Sequence, residues 1–167
     1  MLVLTTGCVA LEDQDYPAYW PALAVSGSGC PSLTGRFDNQ DINEAQPVLL
    51  AKWLLQTADP LRQVHRVQLA GPEAGTLVLR LLEDTGTELL KRELREGTDY
   101  ACGDGWLERK QPELAFVGVV NRHLARLART TRGDLVVQDI DQGGGVVLVV
   151  PMYASFRQWH LYRQRSH

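Results

Sequence analysis

The chain has 167 residues, of which 44% are hydrophobic and 22% are charged, and its formal net charge is −3 at pH 7. This length and composition predict one domain with a real core and exclude a disordered tail. The near balance of charges excludes a nucleic-acid binder that works through bulk charge, and no apolar run reaches the roughly 20 residues of a membrane-spanning helix.

The start of the chain carries the most informative pattern. Residues 1–8 (MLVLTTGC) end in Leu-x-x-Gly-Cys, which resembles the end of a bacterial lipoprotein signal, where the cysteine is lipidated after cleavage behind a small residue. The segment lacks the basic start and long apolar stretch of a complete secretory signal, so we expect the natural start upstream of Met1. The sequence therefore predicts a signal remnant ending in Cys8, which carries the lipid. The alternative is a short N-terminal strand with a chance cysteine.

Residues 9–29 predict a tether between this cysteine and the folded domain. They show no regular hydrophobic period, contain two prolines among aromatic residues, and end in Ser-Gly-Ser-Gly. An alternative is that the Tyr16-Pro17 and Trp20-Pro21 steps, which favour extended backbone, lie along the domain. In the tether interpretation, a single β-rich domain comprises residues 30–167.

The cysteine count predicts a disulfide. The chain has three cysteines. If Cys8 is lipidated, Cys30 and Cys102 remain as one pair, and an even number of remaining cysteines is expected of an exported protein with disulfides. No C-x-x-C spacing is present, so we predict no zinc site. The alternative is two unrelated buried thiols in a cytosolic protein.

One segment predicts a helix, residues 47–56 (PVLLAKWLLQ). Pro47 suits a first helical turn, and Asp59-Pro60 ends the run. The helix has an apolar surface that we expect to bury against a sheet, formed mainly by Leu50, Trp53 and Leu54.

The rest of the chain predicts short strands separated by turn residues. They lie at residues 63–69, 76–82, 87–94, 100–102, 106–109, 121–129, 135–140, 146–150 and 156–163. Residues 87–94 also favour a helix, but the turns on both sides decide for a strand, and Gly143-Gly144-Gly145 is predicted to be a hairpin turn. The fold class is therefore α+β and mostly β. We expect an antiparallel meander of about eight strands, curved into a full or partial barrel, with one helix packed on it.

Several motifs together resemble a known group. They are the Leu4–Cys8 pattern, Tyr16-Pro17 with Trp20-Pro21, residues 30–37 (CPSLTGRF), and Tyr100-Ala101-Cys102 with Gly105-Trp106-Leu107. In these the chain resembles bacterial envelope lipoproteins with lipocalin-like β-meander domains, and Gly35-Arg36-Phe37 is similar to the Gly-x-Trp of lipocalins. The resemblance implies a lipoprotein of the cell envelope and carries no activity. Val9, the residue after the cysteine, resembles the residue that sorts lipoproteins to the outer membrane, so we expect the protein there, facing the periplasm.

The sequence offers no clear catalytic or metal pattern. The histidines, at positions 65, 123, 160 and 167, lack the i, i+4 spacing of zinc proteases, although His65 and His123 lie in predicted strands that can meet across a sheet. The carboxylates around Asp139–Asp141 lie beside predicted turns, where solvation is their default role. We therefore predict no catalytic residue, no metal ligand and no cofactor.

Three functions remain open. The first is a lipid-anchored, non-catalytic envelope protein that binds an envelope partner or supports the envelope. The second is a lipocalin-like carrier of a small apolar ligand, which requires an open interior. The third is an envelope hydrolase, whose sign would be His, Asp and Arg side chains clustered in one cleft.

Overall fold

The computed structural model describes residues 12–25, 27–43, 46–56, 63–110, 114–116, 119–147 and 150–165, and β-strands dominate them. The strands are β1 (Glu12–Asp13), β2 (Gly35–Asp38), β3 (Arg66–Glu73), β4 (Thr76–Leu82), β5 (Glu88–Arg95), β6 (Ala101–Gly103), β7 (Trp106–Lys110), β8 (Leu114–Phe116), β9 (Val119–Arg129), β10 (Leu135–Val147) and β11 (Val150–Tyr162). Within these ranges one helix, α1 (Leu50–Leu55), lies between β2 and β3. No described helix is long and apolar enough to cross a membrane.

The described strands form two sheets. The larger sheet has 7 strands in the order β1-β11-β10-β9-β7-β6, with β8 paired to β9. The smaller sheet has 4 strands in the order β2-β3-β4-β5. All pairings are antiparallel except that of β1 with β11, which is parallel. Strands that follow one another in the chain are therefore mostly neighbours in space.

The inner faces of the two sheets and α1 share one core. From the larger sheet, Leu135, Val137 and Tyr162 are fully buried at alternate positions of β10 and β11. The smaller sheet adds a further set of buried residues, namely Phe37, Val67, Leu69, Leu77, Leu79, Leu81 and Leu94. This filled interior holds the two sheets together through apolar burial.

Main-chain contacts join the two sheets at their corners. Asp38 N–H donates to the Arg163 carbonyl over 3.0 Å, and Arg165 N–H donates to the Arg36 carbonyl over 2.8 Å. At the opposite corner a single bridge links Glu96 with Tyr100. Residues 163–165, which follow β11, therefore lie beside β2, the first strand of the smaller sheet.

The structure confirms a mostly β, antiparallel fold with one short described helix. The predicted single curved sheet, however, is divided in two, and the described strands form no closed barrel. The division falls between β5 and β6, where Gly97 adopts a φ of 81°. This left-handed conformation, which glycine adopts readily, turns the chain out of the direction of β5.

The hairpin turn predicted at Gly143-Gly144-Gly145 is wrong. β10 continues through these glycines to Val147, with Gly143 opposite Ala154 and Gly145 opposite Met152. Glycine permits a turn but does not require one, and here pairing to β9 and β11 satisfies the backbone on both sides. Asp139 and Asp141 therefore lie within a strand and not beside a turn.

The predicted start of the helix at Pro47 is also wrong. α1 begins at Leu50, because Leu49 is extended, with φ −87° and ψ 127°. Upstream, Val48 N–H donates to the Asp41 carboxylate over 3.1 Å, and Asp41 N–H donates to the Val48 carbonyl over 3.2 Å. These bonds hold the chain before α1 in an extended conformation. The predicted stop at Asp59-Pro60 lies outside the described residues, and Gln56, in the left-handed conformation, ends the helix.

Three polar contacts fasten α1 in the core. Trp53 Nε1–H donates to the Tyr162 hydroxyl over 3.0 Å, and both residues are buried. At the start of the helix, Ala51 N–H donates to the side-chain oxygen of Asn39 over 2.8 Å. At its end, the buried Arg109 guanidinium donates to the Leu54 carbonyl. Both helix ends thus receive partners from distant parts of the chain, which a helix of 6 residues needs because it is marginal alone.

We predict that Trp53→Ala lowers the free energy of unfolding by roughly 3–5 kcal/mol, because a buried side chain is replaced by a cavity. Tyr162→Phe, which removes only the hydrogen-bond partner of Trp53, should cost about 1–3 kcal/mol. Urea unfolding of both variants measures the two losses. A loss below about 1 kcal/mol for Trp53→Ala would show that the helix lies outside the core.

Candidate functional site

The predicted cysteine pair is present as a disulfide. Cys30 and Cys102 are bonded, with Cα atoms 4.9 Å apart. The bond links the segment that precedes β2 to β6 of the larger sheet, and both cysteines pack against the core. With Glu96 they form the one group within the described residues whose ligand atoms could surround a metal ion, all within 4.8 Å. Because the two sulfurs are bonded to each other, they lack the thiolate charge through which cysteine binds metals.

The segment predicted to be a tether lies along the larger sheet. Glu12 pairs with Phe156 and Asp13 pairs with Arg157 in β11. Farther on, Trp159 Nε1–H donates to the Gln14 carbonyl over 2.8 Å. At the other end of the segment, Ala24 N–H donates to the Arg129 carbonyl over 2.7 Å and Thr131 N–H to the Ala22 carbonyl over 2.8 Å. The tether prediction is therefore wrong for residues 12–25, which follow the docked alternative.

Aromatic side chains hold this N-terminal segment against the outer face of the sheet. The Tyr16 ring lies edge-on to Trp159 at 5.1 Å and to Trp20 at 5.7 Å between ring centroids. Trp159 also lies 6.2 Å from Trp106. Such contacts add about 0.5–1.5 kcal/mol per pair beyond area burial. The aromatic residues around the two X-Pro steps were the sequence signal for this docked segment.

The parallel pairing of β1 fixes the direction from which the chain reaches the domain. Since Glu12 lies beside Phe156 and Asp13 beside Arg157, the chain enters β1 from the side on which β11 begins. Cys8 itself lies outside the described residues and precedes Glu12 by 4 residues.

A set of histidine and aspartate side chains continues the inner face of the larger sheet beyond the apolar core. Asp139 and Asp141 follow Val137 at alternate positions of β10, so they share its face. Register places His160 of β11 opposite Val137, and His123 of β9 opposite Asp141. His65, by contrast, lies exposed before β3 of the other sheet, so it does not meet His123.

His160 and Asp41 form a buried pair at the inner end of this set. Nδ1 of His160 lies 2.8 Å from Oδ2 of Asp41, and the side chains are only 9% and 3% exposed. The Trp53 ring lies against His160 with centroids 5.7 Å apart. Asp41 also accepts the Val48 N–H, so the pair ties the chain before α1 to β11. Because the Trp53 ring lies against the buried pair, we interpret the pair as a structural contact and not as an open catalytic dyad.

Asp139 is the least well satisfied of these carboxylates. Its Oδ1 is buried without a hydrogen-bond partner, as is Nε2 of His160. Burial raises the pKa of Asp139 above its ordinary value of 3.8, although nearby His160 and His123 oppose the rise. His123 Nδ1 lies 3.4 Å from Asp141, and this pair is more exposed. Sequence reasoning missed Asp41 entirely, and no local pattern marks it, because its partner is 119 residues away.

The cluster meets only part of what the hydrolase prediction requires. Histidine and aspartate residues do converge, but the Arg109 guanidinium donates a hydrogen bond to the Leu54 carbonyl instead of joining them. Acid–base catalysis also needs groups within reach of a substrate, whereas His160 is only 7% exposed. The arrangement favours a structural role for the inner pair.

Comparison with protein-family models, with curated proteins and with solved structures finds no match for this chain. The lipoprotein and lipocalin-like resemblances therefore stay predictions.

We predict that Asp139→Asn stabilises the protein at neutral pH. Because its pKa is raised by burial, the folded protein binds this proton more tightly than the unfolded chain does. Stability therefore falls as pH rises from the ordinary value through the raised pKa, and Asn removes that loss. Thermal unfolding should give a higher Tm for the variant at pH 7 and a smaller difference near about pH 4. Asp84→Asn, at a side chain 76% exposed, is the matched control.

A second prediction concerns the disulfide. It closes a loop with a sequence separation of 72 residues, and replacing both cysteines by serine should remove roughly 4 kcal/mol of stability in the chain-entropy model. Guanidinium unfolding of the double variant and of the Cys8→Ser control measures the effect. Unfolding that is the same with and without reductant would contradict a stabilising role.

Proposed function

We propose that this protein is a lipid-anchored, non-catalytic domain of the bacterial cell envelope, held at the outer membrane through Cys8 and facing the periplasm. The observation that carries the proposal is the Cys30–Cys102 disulfide. Disulfides form and persist in oxidising compartments such as the periplasm and are rare in the cytosol. The Leu4–Cys8 pattern, which resembles the end of a bacterial lipoprotein signal, supports the anchor part of the proposal.

The filled interior favours partner binding or envelope support over the carrier function. A carrier needs an apolar pocket that encloses most of its ligand. Here the space between the sheets is occupied by large side chains that are at most 1% exposed, among them Phe37, Leu79 and Tyr162. The partner is an envelope component and not nucleic acid, since the chain carries a slight net negative charge.

The lipocalin-like part of the proposal is a partial barrel. It is supported by the sequential antiparallel pairing within each sheet. It is supported also by the bonds between residues 36–38 and 163–165, which bring the chain just after β11 beside β2, the first strand of the smaller sheet. A lipocalin-like barrel is likewise an up-and-down meander whose last strand returns to the first. In this proposal the barrel is incomplete between β5 and β6, where the single bridge of Glu96 with Tyr100 is the only described strand-like contact.

The anchor is tested by expressing the gene from a start codon upstream of Met1 in a Gram-negative host with a fatty-acid analogue. We expect label on the wild type and on Ser28→Ala, which leaves the cysteine unchanged, and none on Cys8→Ala. The acyl chains should hold the wild type in the membrane fraction, because each buried methylene adds about 0.8 kcal/mol of membrane affinity. Unlabelled wild type, or label that survives Cys8→Ala, would overturn the anchor. Non-reducing peptide mapping of the same samples tests export separately through the disulfide.

A further inference from the structure

The Arg109 side chain carries a positive charge into the interior of the domain. It is 2% exposed, and it lies on β7 two residues after the fully buried Leu107, so by strand alternation both face the core. Its Nη1 donates a hydrogen bond to the Leu54 carbonyl, whereas its Nε is buried without a hydrogen-bond partner. A guanidinium has five N–H donors and keeps its charge in proteins, so one carbonyl satisfies only part of its bonding capacity.

No carboxylate of the described residues forms an ion pair with this guanidinium. Burial lowers the pKa of Arg109, Asp99 opposes this change from a distance, and Arg92 adds to it. The Asp99 carboxylate itself accepts a backbone N–H over 2.8 Å. On the same face of the larger sheet, Asp139 lies two strands away, beyond Ala125. A buried charge without a partner is costly, so this position favours the binding of an anion.

A second buried donor without a partner lies beside Arg109. Tyr100 is 3% exposed, and its hydroxyl oxygen has no hydrogen-bond partner. Tyr100 directly precedes β6, in which Ala101 pairs with Glu108, so continuing that register by one position sets Tyr100 opposite Arg109. Tyr100 belongs to the core and Cys102, two residues later, packs against it, so this side of the strand faces inwards. Side chains that are opposite each other in this way have Cβ atoms about 5 Å apart.

These two side chains lie beneath the break between the two sheets. Tyr100 forms the single bridge with Glu96, which directly follows β5. Glu96 and Ala101 are exposed, so Tyr100 lies close beneath the surface. Burial raises the pKa of Tyr100, and Glu96 and Asp99 raise it further, so the hydroxyl keeps its proton and remains a donor. The place beneath the break therefore offers N–H and O–H donors and the positive charge of Arg109.

We propose that Arg109 and Tyr100 bind a small carboxylate ion beneath the break between the two sheets. A carboxylate accepts two parallel N–H···O bonds from one edge of a guanidinium, and the unbonded Nε lies on such an edge. The Tyr100 hydroxyl donates a further bond to the same ion. The ion is small, because Leu54 and Leu107 beside the site are fully buried. This site does not depend on lipidation of Cys8, and it fits an interior that is too filled for a larger apolar ligand.

A carboxylate has two sources here. One is a free ion from solution, which we propose. The other is an acidic side chain of the same chain, since Asp59 follows Leu54 by five residues and Glu113 follows Arg109 by four. Both acidic residues lie outside the described residues, so the experiment includes an arm that removes them.

The test measures acetate binding to the full chain with the disulfide formed, at neutral pH and at an ionic strength held constant with sodium chloride. Saturation-transfer NMR of the acetate methyl group detects binding. The Tm of the wild type should rise with acetate concentration, because a ligand that binds only the folded state stabilises it. Tyr100→Phe, which removes one hydroxyl, should weaken acetate binding about tenfold. Tyr19→Phe, at a side chain 85% exposed, is the matched control and should bind as the wild type does.

Removal of the charge gives a second arm. Arg109→Gln should abolish the dependence of Tm on acetate, whereas Arg80→Gln, at an exposed residue of β4, should retain it. If Arg109→Gln does not fold, Tyr100→Phe and its control decide the question.

The outcomes against the proposal are distinct. Absence of acetate binding by the wild type, with binding gained by the double variant Asp59→Asn, Glu113→Gln, would overturn the free ion in favour of a carboxylate of the chain itself. Absence of binding by both proteins, or equal affinity of Tyr100→Phe and Tyr19→Phe, would overturn the site.

Discussion

The buried hydrogen bond between Trp53 and Tyr162 is the contact on which the arrangement of the domain depends. It joins α1, which is too short to be stable alone, to the last long strand at the centre of the core. The Tyr162 hydroxyl is neutral at physiological pH already at its ordinary pKa of 10.0, and burial raises that pKa further. A neutral hydroxyl in this place can accept the indole N–H without placing a charge in the core.

Strand β11 connects this hydrogen bond to other parts of the molecule, because its side chains alternate between the two faces of the sheet. Tyr162 and His160 face inwards and hold α1 and the chain before it, whereas Trp159 faces outwards and holds the N-terminal segment. The continuation of the strand bonds to β2 and joins the two sheets. One strand therefore positions the helix, the docked segment and the corner of the smaller sheet, because its side chains alternate between two faces while its backbone pairs along both edges.

The features that could be predicted from the sequence are those set by residue types close together in the chain or by the number of cysteines. The strand at residues 76–82 is bounded by turn residues and was found with the predicted bounds. The disulfide followed from counting cysteines. The start of α1 and the path of β10 were not predictable, because Pro47 and the three glycines permit several conformations and long-range pairing chooses among them. The His160–Asp41 pair escaped for the same reason, since only the register of distant strands brings the two residues together.

The inner face of β9, β10 and β11 passes through two environments along its described length. Leu127, Leu135 and Val137 lie in the dry core, where apolar burial dominates. Histidines and aspartates follow, in a zone where burial is incomplete and the carboxylate of Asp139 lacks one partner. Ion pairing therefore takes over from apolar burial along this face, since His160 has Asp41 and His123 has Asp141 as its carboxylate partner.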